Sequence, residues 1–213
     1  GLVYKSFDAR LHIIEDYTPT DEDEVVAGCD AGVNHPFVYL RVALHPSGGA
    51  TVFSEFYEAG LAAASQVEMC KSDPIEKRVL RRWVDPSALA LRVEFHKQDL
   101  QTRKADNNVF EGIRVVYSQL AARDPVSFRV TRSCTGLIKE FGLYRYKRGT
   151  PTHAADIPRK ICDDAMDSIR YVLMSENPGL AGRVTSATTA EKIARAQGNI
   201  VRRPSVMVDS QGR

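Results

Sequence analysis

Five aspartates stand at the boundaries of three hydrophobic segments that are far apart in the sequence. Asp30 and Asp85 each end a short apolar run, whereas Asp163, Asp164 and Asp167 share one side of a predicted helix. Carboxylates gathered at one place repel each other unless they take up protons or bind a cation. Mg²⁺ prefers oxygen ligands, and two such ions about 3.5–4 Å apart can clamp the attacking and leaving oxygens of a phosphodiester displacement. If the three segments meet, these residue types favour metal-dependent hydrolysis of a phosphodiester.

Each aspartate also has an ordinary structural explanation when it is considered alone. Asp85 precedes Pro86 and Ser87, which is typical of a residue that caps a turn or a helix. Asp163 or Asp164 would be stabilised simply by lying near the N-terminus of a helix. Only the joint pattern of all three segments favours a shared metal site, so both interpretations stay open at this point.

The hydrophobic pattern predicts the elements that would hold these acids. Alternating and branched residues predict strands at 25–30, 37–44, 51–57, 81–85 and 126–130, with 143–146 as a further candidate. Apolar residues at helical spacing predict helices at 61–70, 88–95, directly after Asn108, at 133–141 and at 159–174. The first three strands would form an antiparallel meander with Asp30 on its first strand. We therefore predict an α/β fold in which helices flank a central mixed sheet.

Composition allows a folded domain and excludes several classes of protein. The chain has 213 residues, of which 43% are hydrophobic, enough for one domain with a sizeable core. The formal net charge of +2 does not by itself indicate nucleic-acid binding. The four cysteines form no Cys-x-x-Cys pair, which argues against a zinc knuckle or a disulfide scaffold and fits a reducing cytoplasm. No apolar run approaches the roughly 20 residues that a membrane span needs.

Charge and periodicity divide the chain into three parts. Residues 1–24 include an acidic stretch with a proline, and we predict a linker or N-terminal segment ending in a solvated loop. Residues 25–176 contain the predicted α/β domain. Residues 177–213 have weak periodicity and an excess of lysine and arginine, and they are predicted to form a basic, partly disordered tail.

The aspartate segments resemble the motifs of one protein family. Residues 28–32, Gly-Cys-Asp-Ala-Gly, followed by Pro36, resemble the first motif of the nuclease domains of tailed-bacteriophage terminase large subunits, which are ribonuclease H-like. Residues 83–86, Trp-Val-Asp-Pro, resemble their second motif. Residues 163–171, Asp-Asp-Ala-Met-Asp-Ser-Ile-Arg-Tyr, resemble their third, which is the most specific. The segment 104–113, Lys-x-x-x-x-Val-x-x-Gly-Ile, is similar to a stretch that opens the next helix in this family. The resemblance extends from residue 2 to about 175.

The resemblance implies a two-metal-ion endodeoxyribonuclease that cuts concatemeric viral DNA during genome packaging. The implied ligands of two Mg²⁺ or Mn²⁺ ions are Asp30, Asp85, Asp164 and Asp167, with Asp163 expected to support them. The implied partners are double-stranded DNA, the terminase ATPase domain, the small terminase subunit and the portal, with no membrane involved. The implied location is the host cytoplasm and, transiently, the portal vertex of the procapsid.

The sequence departs from the family pattern at two positions. Ala31 follows the first motif aspartate where the family often has an aromatic residue. Asp164 stands where a histidine is common, so whether Asp164 or Asp167 is the direct ligand stays open. No Gly-x-x-x-x-Gly-Lys-Ser/Thr stretch is present, so the ATPase motor of a complete large subunit is not expected within these residues.

Basic residues near the motifs are candidates for contact with the DNA backbone. They form a group between the second motif and the next helix, a group interleaved with tyrosines, and a single lysine before the third motif. In order they are Lys97, Arg103 and Lys104, then Arg145, Lys147 and Arg148, then Lys160. Each group also has a simpler interpretation, as a solvated loop, a charged edge strand or a surface helix residue.

Two other functions would fit the same residues. Another ribonuclease H-like nuclease, such as a junction resolvase or a transposase core, would prefer branched or transposon-end DNA. A non-catalytic DNA-binding or capsid-docking module would use the acids only for structure. Nicking of plasmid DNA that EDTA abolishes would distinguish a catalyst from such a module.

Overall fold

A computed structural model describes residues 1–32, 35–123, 125–147 and 157–176 of the chain. These residues form a seven-stranded sheet in the order β1-β7-β4-β3-β2-β5-β6. The strands are β1 Ile13–Ile14, β2 Glu24–Asp30, β3 Phe37–His45, β4 Gly49–Glu58, β5 Val79–Val84, β6 Arg103–Lys104 and β7 Phe128–Thr131. The α-helices are α1 Ala9–His12, α2 Ala63–Ser72, α3 Leu89–Lys97, α4 Val109–Ala121, α5 Thr135–Leu143 and α6 Asp164–Glu176, and a 3₁₀ helix spans Pro74–Arg78.

The sheet is mixed, as predicted. Strands β2, β3 and β4 form an antiparallel meander, and all other pairings in the sheet are parallel. Asp30 is the last residue of β2, the first strand of that meander. The prediction of a central mixed sheet with Asp30 on the first strand of the meander is therefore confirmed.

Helices cover both faces of the sheet, and each face has its own hydrophobic core. One core contains Val26 of β2 together with residues of α4, α5 and α6, and we call this side the α6 face. The other contains Val25, Ala27 and Cys29 of β2 together with residues of α2 and α3, and we call it the α3 face. Because side chains alternate along a strand, Asp30 belongs with Val26 on the α6 face.

The helix that contains the third aspartate group starts later than the sequence pattern predicts. The pattern predicts a start at residue 159, but α6 begins at Asp164. Cys162 has a φ of 56°, a left-handed conformation that a right-handed helix cannot continue through. The candidate strand 143–146 is also wrong as a regular element, because this segment makes only isolated bridges, Leu2 to Arg145 and Tyr146 to Pro158.

Residues 1–24, predicted to be a linker or N-terminal segment, include parts that pack into the domain. Its β1 pairs with β7 in the sheet, and Val3 and Tyr4 are buried in the core of the α6 face. Phe7 stacks on Phe141 of α5 with ring centroids 4.2 Å apart. Asp23, predicted to lie in a solvated loop, is buried and accepts hydrogen bonds from Tyr17 and Thr20. The apolar side chains of this segment explain why it folds onto the sheet.

Two further predictions concern the end of the chain and the membrane. The predicted basic tail, residues 177–213, lies outside the described residues. Among the helices that the structure describes, none is long and apolar enough to cross a bilayer.

Candidate active site

Neighbouring strands place Asp30 and Asp85 side by side at one edge of the sheet. Strands β2 and β5 are parallel, with Cys29 opposite Val84. Asp85 follows the last residue of β5, and its backbone N–H donates a hydrogen bond to the Cys29 carbonyl at 3.3 Å. The carboxyl ends of parallel strands are where functional groups gather in such sheets.

Asp85 also lies on the same face of the sheet as Asp30. On β5, the Trp83 indole N–H donates to the Glu176 carboxylate of α6 at 2.6 Å, whereas Val84 is in the core of the α3 face. Alternation along the strand therefore directs Asp85 to the α6 face. Its Oδ1 accepts hydrogen bonds from the backbone N–H and hydroxyl of Ser87 at 2.7 and 2.9 Å, so Asp85 also stabilises the turn that precedes α3.

Helix α6 runs antiparallel to β2, which brings its first turn to Asp30. The Ser168 hydroxyl donates to the carbonyl of Val38 at 3.4 Å, and Val38 is the residue of β3 that pairs with Asp30. At the other end of the helix, Arg81 binds both Glu176 of α6 and Glu24 at the start of β2. These contacts fix the register of the helix, so Asp163, Asp164 and Asp167 lie near the end of β2.

Gly28 allows this close approach between helix and strand. A Cβ atom built at Gly28 would overlap the Ser168 carbonyl and approach the Val172 side chain to 2.7 Å. Because the obstacle is helix backbone, it cannot move without shifting the whole of α6. The glycine of the first motif thus positions the residues of the third motif.

We expect Gly28→Ala to destabilise the domain and to displace the acidic turn of α6 from Asp30. Overpacking of this kind costs about 1–3 kcal/mol, measurable as a lower urea midpoint. Gly142→Ala is the matched control, since a Cβ there meets no atom within 4 Å, and it should be neutral or stabilising by up to about 1 kcal/mol. Equal urea midpoints for the wild type and Gly28→Ala would contradict this account of the helix packing.

Burial and the aspartates of the site raise the pKa of Asp30, Asp163 and Asp164. Burial, followed by the charges of Asp167, Asp164, Asp85 and Asp163, raises the pKa of Asp30 to about 8. Burial and the charges of Asp167 and Asp164 raise the pKa of Asp163 to about 6. Burial is also the main cause of a raised pKa at Asp164. Such a cluster gains stability from any bound cation or proton.

The residues predicted as ligands are brought to one edge of the sheet, but their side chains do not form a closed ligand shell. Within the described ranges, no group of three or more His, Cys, Asp or Glu side chains has the spacing of a metal site. Convergence of the aspartates on a common point within a few ångströms therefore stays a prediction. The donor chemistry nevertheless fits Mg²⁺ or Mn²⁺, because carboxylate oxygens are the ligands that these hard cations prefer.

Asp164 and Asp167 differ in their surroundings. Oδ1 of Asp167 accepts a hydrogen bond from Arg170 at 2.7 Å, and Arg170 is only 2% exposed. The Arg170 guanidinium also lies over the Tyr171 ring, 5.2 Å from its centroid. For Asp164, His35 is the side chain that opposes the rise in its pKa. Which of the two aspartates would bind a metal more directly stays open.

Sequence reasoning missed a buried acid that contacts the third aspartate group, Glu140 of α5. It is 1% exposed, and its carboxylate accepts hydrogen bonds from the backbone N–H groups of Ala165 and Met166 in the first turn of α6. The only sequence signal is its position between Leu137 and Phe141, on the apolar side of a predicted helix. An acid on such a side indicates a buried polar contact but does not say with what.

The predicted DNA-binding residues lie in different surroundings in the structure. Exposed Arg103 lies over the ring of Trp83, 5.6 Å from its centroid, and is opposite Trp83 in the pairing of β6 with β5. The charge of exposed Lys160 opposes the rise in the pKa of Asp163. Lys97 instead ends α3 and forms an ion pair with Glu94 at 2.6 Å. The pairing of β6 with β5 thus ties Arg103 and Lys104 to the acidic edge, and Lys160 is tied to it by its effect on Asp163.

The basic and aromatic segment after α5 pairs with a later segment. The Lys147 N–H donates to the Ile157 carbonyl at 2.7 Å, and the Arg159 N–H donates to the Arg145 carbonyl at 2.8 Å. Arg145 and Lys147 are exposed on this pair of extended segments. Lys104, also exposed, is the last residue of edge strand β6. Arg148 lies outside the described residues.

Comparison with known proteins finds similar chains among solved structures. No protein-family profile matches the chain, and no curated protein sequence matches it. The large terminase of a thermophilic bacteriophage superposes with a TM-score of 0.73 at 22% identity, over 82% of this chain and 44% of that chain. The P22 large terminase nuclease domain superposes with a TM-score of 0.71 at 16% identity, over 86% of this chain and 96% of that domain. This chain has the fold of the large terminase nuclease domains.

That fold is ribonuclease H-like, in agreement with the sequence prediction. The nuclease domain of the large terminase from bacteriophage SPP1, a structure with bound Mn, superposes with a TM-score of 0.61 at 15% identity, over 83% of this chain and 99% of that domain. The chain therefore spans less than half of the large terminase from the thermophilic phage but nearly the whole of the isolated terminase nuclease domains.

Proposed function

We propose that the chain is a metal-dependent DNA endonuclease acting as the nuclease part of a phage packaging terminase. The observation that supports this most directly is the placement of aspartates from β2, β5 and α6 at one edge of a large terminase nuclease fold. Their mutual effect on pKa means that the edge favours bound cations. A purely structural role would not require five acids from three segments to be placed together at a cost in repulsion.

Four of these residues would hold one or two divalent cations. They are Asp30, Asp85, Asp164 and Asp167, with Asp163 beside them. When bound, Mg²⁺ or Mn²⁺ supplies charge neutralisation at the phosphate and activation of the nucleophile. The protein's own contribution is to fix these carboxylates on rigid strands and on a helix whose register is set by Gly28 and Arg81.

Basic residues around the acids would position the DNA backbone. Arg103 lies over Trp83 on the strand that precedes Asp85, and the charge of Lys160 acts on Asp163. Contacts from such residues to phosphates fix the register of the duplex and carry no sequence information. This arrangement is consistent with cutting of concatemeric viral DNA with little sequence specificity.

The remaining parts of the proposal depend on the similarity to large terminases. A terminase ATPase domain, a small terminase subunit and the portal would be the protein partners, and double-stranded DNA would be the substrate. The host cytoplasm and, transiently, the procapsid portal would be the location. None of these protein partners is needed for the test that follows.

Plasmid nicking tests the proposal. Supercoiled DNA incubated with the protein and Mn²⁺ or Mg²⁺ should become open-circular and then linear, and EDTA should stop the reaction because the carboxylates alone cannot activate water. Excess Mn²⁺ added after EDTA should restore it. Binding of DNA without metal-dependent nicking would favour a non-catalytic module instead. Strong preference for a four-way junction over a linear duplex would favour a resolvase.

A further inference from the structure

The first turn of α6 is held by a carboxylate that comes from another helix. Oε2 of Glu140 accepts hydrogen bonds from the backbone N–H groups of Ala165 and Met166 at 2.9 and 3.1 Å. Its Oε1 accepts a hydrogen bond from the hydroxyl of Tyr57 at 2.7 Å. Glu140 is buried beneath the turn that contains Asp164.

The usual acceptor for these two N–H groups is a side chain of the helix itself. The carbonyl of Asp163 accepts the first helical hydrogen bond, from Asp167, so Asp163 is the N-cap residue of α6. An N-cap aspartate normally accepts from the second and third N–H groups of its helix. In α6 those are the N–H groups of Ala165 and Met166, the two that Glu140 engages.

We propose that Glu140 is a positioning residue that caps α6 in place of Asp163, leaving Asp163 and Asp164 available to bind cations. This inference rests on the proposed nuclease function, since it assigns those acids to cations. Because Glu140 accepts the N–H groups of Ala165 and Met166, Asp163 is not needed as their acceptor. Glu140 thus fixes the turn and leaves the oxygens of Asp163 and Asp164 available to cations.

A chain of contacts connects this cap to the central sheet. Tyr57 lies on β4 next to Gly136, where a Cβ atom would overlap the Tyr57 ring. Glu55, two residues earlier on the same strand, accepts hydrogen bonds from the N–H groups of Gly136 and Leu137 at the start of α5. Glu55 thus caps α5, whereas Tyr57 on the same strand binds the carboxylate that caps α6.

Burying the Glu140 carboxylate costs free energy, which indicates that its hydrogen bonds to α6 are specific. Burial is the main cause of a pKa of about 7 at Glu140, and the charge of Asp164 raises it as well. An apolar residue would avoid this cost but would leave two buried N–H groups and the Tyr57 hydroxyl without their acceptor.

Four variants test the proposal: Glu140→Ala, Glu140→Gln, Tyr57→Phe and the matched control Glu55→Ala. The control removes a carboxylate that caps α5 instead of α6. Two measurements need no DNA cleavage. Hydrogen exchange on the metal-free protein reports the first turn of each helix, and calorimetric titration with Mn²⁺ reports cation affinity. Nicking at saturating Mn²⁺ is the third readout.

Glu140→Ala should speed hydrogen exchange in residues 164–168 and lower Mn²⁺ affinity about tenfold or more, as is typical when a supporting partner of a ligand is lost. The maximal nicking rate should fall by a similar factor, with little change in the DNA concentration that gives half the maximal rate. Glu140→Gln should restore Mn²⁺ affinity to within about threefold of wild type, because its amide oxygen can accept the same two N–H bonds. Glu55→Ala should speed exchange at the start of α5 and leave Mn²⁺ affinity within about twofold.

Several results would overturn the proposal. These are unchanged Mn²⁺ affinity in a folded Glu140→Ala protein, an equal loss of affinity in Glu55→Ala, or a wild-type chain that binds no Mn²⁺. If Glu140→Ala does not fold, Tyr57→Phe decides. Tyr57→Phe should weaken Mn²⁺ binding by a smaller factor than Glu140→Ala. A Tyr57→Phe protein with wild-type Mn²⁺ affinity and wild-type hydrogen exchange in α6 would refute the inference. A wild-type protein that binds Mn²⁺ but nicks no DNA would count against the nuclease function, while the exchange and titration data would still decide the role of Glu140.

Discussion

Replacement of Asp30 by asparagine should abolish plasmid nicking with either Mn²⁺ or Mg²⁺ and leave the fold intact. Asp30 ends a buried strand, adjoins Asp85 and lies beneath the first turn of α6, so its carboxylate is central among the five acids. The loss should exceed the roughly 100-fold effect that removal of a residue merely supporting a metal ligand can produce. Asparagine has the same size and keeps one oxygen, so packing should not change.

The same substitution should maintain or raise thermal stability in metal-free buffer. Asparagine removes one negative charge from a partly buried group of like charges, which relieves their repulsion. Asp16→Asn makes the same chemical change at an exposed position outside the cluster and should alter neither nicking nor stability. Wild-type nicking by Asp30→Asn would rule out the proposed site, since no other residue of β2 could take over the role of that carboxylate.

Local sequence patterns predict well those elements of the site whose formation depends only on residues close together in the sequence. Strands β2, β3 and β4 have branched and aromatic residues between clear turns, and their meander needs no distant partner. Helix α4 is predicted from Asn108, whose side chain does accept the N–H of Glu111 at 3.2 Å. Both kinds of signal depend on residues within one turn or one strand, which is why they can be recognised in a single sequence.

Features that depend on distant contacts could not be predicted in this way. Strand β1 has two residues, too few for any periodic pattern, and it exists because β7 pairs with it. The late start of α6 depends on the left-handed Cys162, which no spacing of apolar residues indicates. The role of Glu140 depends on a helix 25 residues further along the chain. Sequence alone therefore predicts which acids belong together but not what holds the first turn of α6 in place.

Mn²⁺ should stabilise the folded chain, and more strongly at about pH 8 than at about pH 6, because protons and cations compete for the same carboxylates. The pKa of Asp30 is about 8 and that of Asp163 about 6 in the folded chain. An unfolded aspartate has a pKa of about 3.9. Between those values the folded chain binds more protons than the unfolded chain, so metal-free stability should fall as pH rises through this window. The fall should be complete once pH exceeds the folded pKa of Asp30.

The cation should reverse that loss. A ligand at 100 times its dissociation constant adds about 2.7 kcal/mol, which for a chain of this size raises the melting temperature by about 5–10 °C. Thermal melts in EDTA and in excess Mn²⁺, at about pH 6 and about pH 8, measure both effects. Asp30→Asn should flatten the pH dependence in EDTA, and it should reduce the Mn²⁺ shift, since the group with the most strongly raised pKa is gone. A Mn²⁺ shift of equal size at both pH values would mean that protons and cations do not compete, and the acids at the ends of β2, β5 and α6 could not then be the binding site.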